Sequence, residues 1–143
     1  MKLHLVTVGK PKFEYAKLGW AEYVKRLGRF HELRVTQLQD KYAYDAAKLT
    51  EVVQGSYVVA LSIEGSRLSS PQLANFLRDR ELESREVAFV VGGPEGLPES
   101  FLSTVQYHWS FSPLTFPHDL AMLVLAESLY RASTINQGIP YHK

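Results

Sequence analysis

The chain has 143 residues, of which 45% are hydrophobic and 12% aromatic, and its formal net charge is +1. This apolar and aromatic content excludes intrinsic disorder, and the length is typical of one domain, which we expect to span residues 1–143. No apolar run approaches the roughly 20 residues that cross a bilayer, and the absence of cysteine excludes disulfides and thiolate metal sites. We therefore expect a soluble, cytoplasmic protein with no membrane segment.

Positive charge is concentrated in the N-terminal quarter of the chain. Residues 1–34 contain eight Lys or Arg against three Glu, a net of +5, whereas residues 35–103 contain six against ten acidic residues, a net of −4. A basic segment of this kind is a candidate footprint for a phosphate backbone. An ordinary solvated helix face explains the same charge, so both interpretations stay open at this point.

The apolar pattern of the first half of the chain predicts alternating strands and helices. The first strand ends at a Gly-Lys-Pro turn, and Gly28 closes the helix that follows. Asp45 is the predicted N-cap of the second helix. The continuous apolar run at 57–61 is typical of a strand covered on both faces. In chain order, the predicted elements are a strand, a helix, a strand, a helix and a strand at residues 3–8, 14–27, 33–38, 45–53 and 57–61.

The second half of the chain continues the alternation. A helix begins with Ser70 as its N-cap and Pro71 at its first helical position. The run Glu-Val-Ala-Phe-Val-Val at 86–91 predicts a buried strand. A short helix, a strand and a long amphipathic helix follow at residues 98–103, 106–111 and 116–135. Strands that alternate with helices indicate an α/β fold with a mostly parallel sheet and helices on both faces.

Three loops follow the carboxyl ends of predicted strands, which is where parallel sheets bind ligands. They lie after Leu61, at 92–96 and at 112–118. The Gly-Gly-Pro-Glu-Gly loop at 92–96 lets a ligand approach the backbone, but it is neither a G-x-G-x-x-G fingerprint nor a P-loop, so a plain tight turn is also open. The 112–118 loop offers backbone groups that can read an adenine edge. Alternatively, it only starts the last helix, with Thr115 as the cap and Pro117 in the first turn.

The last helix and the tail carry the remaining candidate residues. Glu127 lies among apolar residues and needs a partner, which Arg131 supplies at i,i+4 spacing; phosphate binding is the alternative role of Arg131. The five histidines show no metal-ligand spacing, so we expect no metal. The terminal Tyr-His-Lys at 141–143 combines an aromatic ring, an imidazole and a cation. Such a tail docks near nucleic acid or in a neighbouring subunit, unless it is only a frayed end.

Four motifs together resemble one protein family. They are Gly-Gly-Pro-Glu-Gly-Leu at 92–97, Leu-Thr-Phe-Pro-His at 114–118, Glu-Ser-Leu-Tyr-Arg-Ala at 127–132 and the closing Tyr-His-Lys. In this order and spacing they closely resemble the RlmH family, SPOUT-class methyltransferases that methylate N3 of a pseudouridine in 23S ribosomal RNA. The resemblance implies an α/β sheet whose C-terminal part forms a trefoil knot, an exception to the rule against threading. It also implies a homodimer that acts on the ribosome.

The resemblance further implies a site for S-adenosylmethionine in the knot. Tyr141 and His142 would lie near the methyl donor, with a position across the dimer interface as one option, and Arg131 and His118 would line the RNA side. The family commonly has Asp where this chain has Ser62. Carried over by motif, the cofactor contacts fall on Leu61, Gly93, Ser112, Pro113, Leu114, Thr115, Phe116 and Pro117.

In the expected methyl transfer, the main tasks of the protein are to align the methyl donor with the target base and to exclude water. His142, His118, Tyr141 and solvent all remain open as the acceptor of the imide proton. A homodimer also suits the last helix, whose apolar residues occupy more than one face: Met122, Leu123, Leu125, Leu129 and Ile135.

Two other classes of function remain as alternatives. A non-catalytic ribosome- or RNA-binding module would use the basic N-terminal surface, but it gives no reason for the 112–117 loop. A nucleotide-binding α/β enzyme would use the 92–96 loop for phosphate, but it lacks a phosphate-binding lysine nearby.

Overall fold

A computed structural model describes residues 1–142 and contains one five-stranded sheet. The strands are β1 (Lys2–Val8), β2 (Glu32–Leu38), β3 (Tyr57–Arg67), β4 (Val87–Val91) and β5 (Tyr107–Ser110). The helices are α1 (Glu14–Leu27), α2 (Ala46–Val52), α3 (Ser70–Glu81), α4 (Glu99–Leu102) and α5 (His118–Gln137). All strand pairs are parallel, in the order β2-β1-β4-β3-β5, so the predicted α/β fold is confirmed.

Apolar side chains on both faces of the sheet form two cores. Along the central strand β4, whose five residues are all buried, Phe89 packs into one core and Val90 into the other, because alternate residues of a strand face opposite sides. The first core includes residues of α1, α3 and α5, and the second includes Leu49 of α2 and Phe101 of α4. The helices therefore cover both faces, as a parallel sheet requires.

Strand β3 runs six residues beyond its predicted end at Leu61. Beyond Leu61 its pairing with β5 shifts register, and Ser66 and Arg67 pair with Trp109 and Ser110. A side chain at Gly65 would place its Cβ 2.6 Å from the backbone of His108, so only glycine permits this approach. The prediction failed because the extension is polar and is defined by contact with β5, which no local pattern reveals.

Two predicted helix starts are also wrong. Ser69, not Ser70, is the N-cap of α3, and it forms a capping box with Gln72. Helix α5 begins at His118 rather than at 116, because Pro117 has an extended ψ of 150° and is itself the N-cap. Thr115 therefore does not cap this helix, and Pro117 lies outside its first turn.

Burial holds His31 in its neutral form. Ser133 Oγ donates to Leu129 O, so it accepts from His31 Nε2 at 2.7 Å, and Nδ1 is left buried without a partner among the described residues. Protonation of Nδ1 would create a buried, unpaired N–H. Desolvation, with the nearby N-terminal amine, lowers the pKa of His31 from 6.5 to about 4.

We expect His31 to make the fold acid-sensitive. The unfolded chain takes up the proton at a higher pH than the folded chain, so stability is lost as the pH falls from 6.5 towards 4. The free energy of unfolding should fall by about 2–3 kcal/mol over this range through His31. Urea unfolding at several pH values should show a smaller loss for His31→Gln than for the wild type. Equal acid sensitivity of wild type and His31→Gln would contradict the assignment.

Candidate active site

A cavity of about 510 Å³ opens at the carboxyl ends of β4 and β5, beside residues 61–64 of β3. Its size is within the usual range for small-molecule sites. All three segments that the sequence singled out contribute to its wall, although the one after Leu61 is strand and not loop. Of the predicted cofactor residues, those that line the cavity are Leu61, Gly93, Ser112, Leu114, Thr115 and Phe116. Pro113 and Pro117 belong to the same loop but do not line this cavity.

The 112–117 loop is held by its own hydrogen bonds. Ser110 Oγ donates to the carbonyl oxygen of Ser112, and Ser112 Oγ accepts from the Leu114 N–H, both at 3.0 Å. Within residues 1–142, the backbone N–H groups of Thr115 and Phe116 donate to no protein acceptor. The loop therefore combines a fixed shape with free backbone donors at the cavity wall.

Three aromatic residues contribute to the wall of the cavity: Trp109, Phe111 and Phe116. Trp109 packs edge-on against Phe111 with ring centroids 4.8 Å apart, and Phe111 stacks with Phe116 at 6.2 Å. The indole N–H of Trp109 is buried and has no hydrogen-bond partner in the described part of the chain. Because buried donors are nearly always paired, this N–H is a candidate contact for a bound ligand.

The glycines of the 92–96 loop have separate roles. A Cβ at Gly92 would lie 2.7 Å from the backbone of Gly96, so Gly92 is required by the tight turn itself. A Cβ at Gly93 would meet only ordinary contacts, 3.6 Å from Val8 and from Ala43. The fold therefore has room for a side chain at Gly93, whose position is in the cavity wall.

Three carboxylates in the cavity wall were missed by the sequence reasoning. Glu64 lies on the extension of β3, Glu95 lies in the glycine-rich loop, and Glu99 begins α4. Ser62, at the position where the family commonly has Asp, lines the cavity with them. No local signal marked Glu64, because Ile63 beside it is exposed and the strand beyond Leu61 is defined by its contact with β5.

A second cavity of about 380 Å³ lies at the carboxyl end of β1. It is lined by Lys10, Lys12 and Phe13 among others, and it shares Pro94 and His118 with the first cavity. Both ring nitrogens of His118 are buried and lack a partner among residues 1–142. His118 is thus the one predicted catalytic residue whose side chain lines the first cavity, and it lies between the two cavities.

A buried carboxylate fixes the wall of the second cavity. Asp119 Oδ2 accepts from the backbone N–H groups of Lys12 at 2.7 Å and Phe13 at 2.6 Å. These residues immediately precede α1, whose first N–H groups have no partner within the helix. One side chain at the start of α5 therefore anchors the start of α1.

The tail packs on its own protomer. Tyr141 Oη lies 3.0 Å from Tyr23 Oη, the Tyr141 ring packs edge-on against Tyr130, and the Arg131 guanidinium lies 4.9 Å from the ring centre. Arg131 donates to His142 Nδ1 at 3.3 Å. Arg131, Tyr141 and His142 line neither cavity, and Lys143 is outside the described residues.

The predicted pairing of Glu127 with Arg131 is confirmed. The guanidinium donates through Nε and NH2 to the two carboxylate oxygens, each at 3.0 Å. This bidentate pair fixes the side chain that packs on Tyr141. Burial raises the pKa of Tyr141 above its ordinary value, so the phenol is protonated at neutral pH and is not a general base in this arrangement.

Comparison with known proteins defines the class. A family described as "Predicted SPOUT methyltransferase" matches residues 1–142, and the chain belongs to this family. The resemblance drawn from the four motifs is thereby confirmed, and membership implies a methyl donor.

Particular relatives match over the whole chain. Ribosomal RNA large subunit methyltransferase H of Deinococcus deserti is 44% identical to this chain, and the match covers 100% of both chains. The protein of the same name from Deinococcus radiodurans is 42% identical over 100% of this chain and 99% of its own, and that from Streptococcus thermophilus is 41% identical over 100% of both. A solved structure, a probable methylase family protein from Haemophilus influenzae Rd KW20, shares the fold alone, with a TM-score of 0.58 and 14% identity over 95% of this chain and 66% of that chain.

Among the described residues, no helix is both long and apolar enough to cross a membrane. Within the same residues, no group of three or more His, Cys, Asp or Glu side chains is placed to hold a metal ion.

Proposed function

We propose that this protein transfers a methyl group from S-adenosylmethionine to N3 of a pseudouridine in 23S ribosomal RNA. The substrate is the RNA of the assembled ribosome, and the reaction takes place in the cytoplasm. The observation that carries the proposal is the cavity of about 510 Å³ where the 92–96 and 112–117 loops meet residues 61–64 of β3. Full-length similarity to proteins named ribosomal RNA large subunit methyltransferase H supports the choice of RNA.

The residues of the cavity fit the proposed methyl donor. The unengaged N–H groups of Thr115 and Phe116 can bind the edge of an adenine, and the aromatic wall can pack on its ring. Leu61 and Gly93 would enclose the rest of the molecule, and the carboxylates of Glu64 and Glu95 suit its positive charges and ribose hydroxyls. When bound, S-adenosylmethionine would supply an electrophilic methyl group.

The protein aligns the reactants, excludes water from the site and provides an acceptor for the imide proton. The fixed 112–117 loop and the aromatic wall position the bound molecule and exclude water. His118, whose ring nitrogens have no protein partner in the described residues, is the best-placed acceptor for that proton in this protomer. Tyr141, as a protonated phenol, would position the target base, and Arg131 would hold Tyr141 and His142 in place.

Methyl transfer to ribosomes that lack the modification tests the proposal. We expect incorporation of labelled methyl that depends on S-adenosylmethionine. Calorimetry should detect S-adenosylmethionine binding and no ATP binding, which separates the proposal from a nucleotide-binding enzyme. RNA binding without any incorporation would favour a non-catalytic RNA-binding module instead.

A trefoil-knotted C-terminal part and a homodimer belong to the same proposal. The close approach of the β3 extension to β5, next to the 112–117 loop, supports the knotted path. A partner subunit would bring a second tail towards the cavity, which the tail of the same protomer does not line.

We expect light scattering at micromolar concentration to give twice the mass of one chain. Met122, Leu125 and Leu129 are buried inside the protomer, so they do not form the second apolar face that the sequence suggested. The contact must use other residues; Leu18 and Ile139 are exposed apolar candidates. A mass equal to one chain would contradict the dimer.

A further inference from the structure

We propose that the second cavity and the aromatic pair beside it, Phe13 and Tyr15, bind an unpaired ribonucleotide. This nucleotide is the neighbour of the one that is methylated. In this arrangement Lys10 and Lys12 hold its phosphate and Phe13 stacks on its base. The inference rests on the proposed function and adds a substrate subsite to it.

The position of the second cavity suits a neighbouring nucleotide. Its wall shares Pro94 and His118 with the first cavity, so a chain that crosses this wall reaches both. The volume of about 380 Å³ is sufficient for a nucleoside-sized group. His118, with both ring nitrogens lacking a protein partner among residues 1–142, lies where the two occupants would meet.

The charged groups of the second cavity fit a nucleotide better than a simple anion. Lys10 and Lys12 are exposed in the basic N-terminal quarter, and the backbone of Lys12 is anchored by Asp119. The Asp119 carboxylate is already engaged by two N–H groups, so it offers little repulsion to a phosphate. Asp40 adds a carboxylate that can accept from ribose hydroxyls. The lining therefore provides both donors and acceptors.

The aromatic pair, Phe13 and Tyr15, is exposed beside the cavity, and no element of residues 1–142 covers it. Phe13 is 63% and Tyr15 49% exposed, and their rings stack with centroids 6.2 Å apart and an interplanar angle of 15°. Exposed rings among lysines are the usual platform for unpaired RNA bases, because every base has a face that stacks. Phe13 also lines the second cavity, which places base and phosphate contacts side by side.

Binding of a fluorescent single-stranded hexauridylate to the full-length protein with S-adenosylmethionine tests the inference. Fluorescence anisotropy should show about 5- to 100-fold weaker binding for Phe13→Leu and recovery for Phe13→Trp. The double variant Lys10→Ala/Lys12→Ala should flatten the dependence of log affinity on log salt by about 1.4, from two lost phosphate contacts. Lys25→Ala, an exposed lysine at the other end of α1, should lower that slope by less than the double variant does.

The outcomes separate this inference from the proposed function. Unchanged affinity of Phe13→Leu, or a flattening by Lys25→Ala as large as that of the double variant, would overturn the subsite even if methyl transfer is normal. A reduced mass of Phe13→Leu in light scattering would also overturn it and assign the patch to a protein contact. If the variants weaken RNA binding as expected but the wild type transfers no methyl to ribosomes, the subsite stands and the proposed function fails.

Discussion

Replacement of Gly93 by valine should abolish S-adenosylmethionine binding in a protein that stays folded. A Cβ at Gly93 would lie 3.6 Å from Val8 and Ala43, which line the second cavity, so the fold has room for it. We expect the two γ-methyl groups to displace the 92–96 loop, which forms part of the wall of the first cavity. Compared with glycine, valine adds three carbon atoms. Overpacking by extra carbon atoms costs about 1–3 kcal/mol of binding free energy or prevents binding altogether. Calorimetry should therefore detect no binding at concentrations that saturate the wild type, while thermal melting should change little.

Gly92 provides the matched control. Its Cβ would lie 2.7 Å from the backbone of Gly96, so Gly92→Val should lower the melting temperature as well as the affinity. Wild-type affinity in Gly93→Val would remove the glycine-rich loop from the proposed site, and loss of fold in this variant would show that Gly93 has a structural role.

Deletion of residues 141–143 should reduce methyl transfer far more than S-adenosylmethionine binding. Tyr141 and His142 line neither cavity of their own protomer, so the affinity of the first cavity should be retained. In the proposed dimer, the tail of the partner orders the target base or assists the removal of the imide proton. Its loss should then slow the reaction of the bound complex, because general acid–base catalysis contributes roughly 10²–10⁴-fold to a rate. The measurement is the rate of labelled methyl transfer to unmodified ribosomes at saturating S-adenosylmethionine.

Single substitutions resolve the roles within the tail. Tyr141→Phe removes the contact with Tyr23 Oη but keeps the ring on Tyr130, whereas His142→Ala removes the imidazole next to Arg131. The loss of the tyrosine ring in the deletion should cost stability by about 1 kcal/mol, as for other aromatic pairs. Near-normal turnover of the truncated protein would indicate that His118 or solvent, and not the tail, accepts the imide proton.

The sequence predicted the edge of the sheet at which the candidate site lies, because that edge depends on local patterns. The apolar runs at 57–61 and 86–91 are visible in the chain, and parallel topology directs their carboxyl ends to one place. The 112–117 loop was identified by its prolines and by family resemblance, and six of the eight predicted contact residues line the cavity.

Features that depend on distant partners were not predictable. The strand character of residues 62–67 exists only through pairing with β5, so Glu64 was missed. The packing of Tyr141 on Tyr23 joins residues 118 positions apart, and no periodicity reports such a contact. The second cavity likewise requires β1, the glycine-rich loop and the start of α5 to meet.

The anchoring of α1 by Asp119 makes the two cavities a single mechanical unit. The carboxylate lies one residue into α5, directly after the loop of the first cavity, and it holds the backbone of Lys12 and Phe13 in the wall of the second. Two charge-assisted hydrogen bonds in a buried position resist separation. Any displacement at the start of α5 therefore moves the start of α1 with it, and a redesign of one cavity must preserve this support to leave the other unchanged.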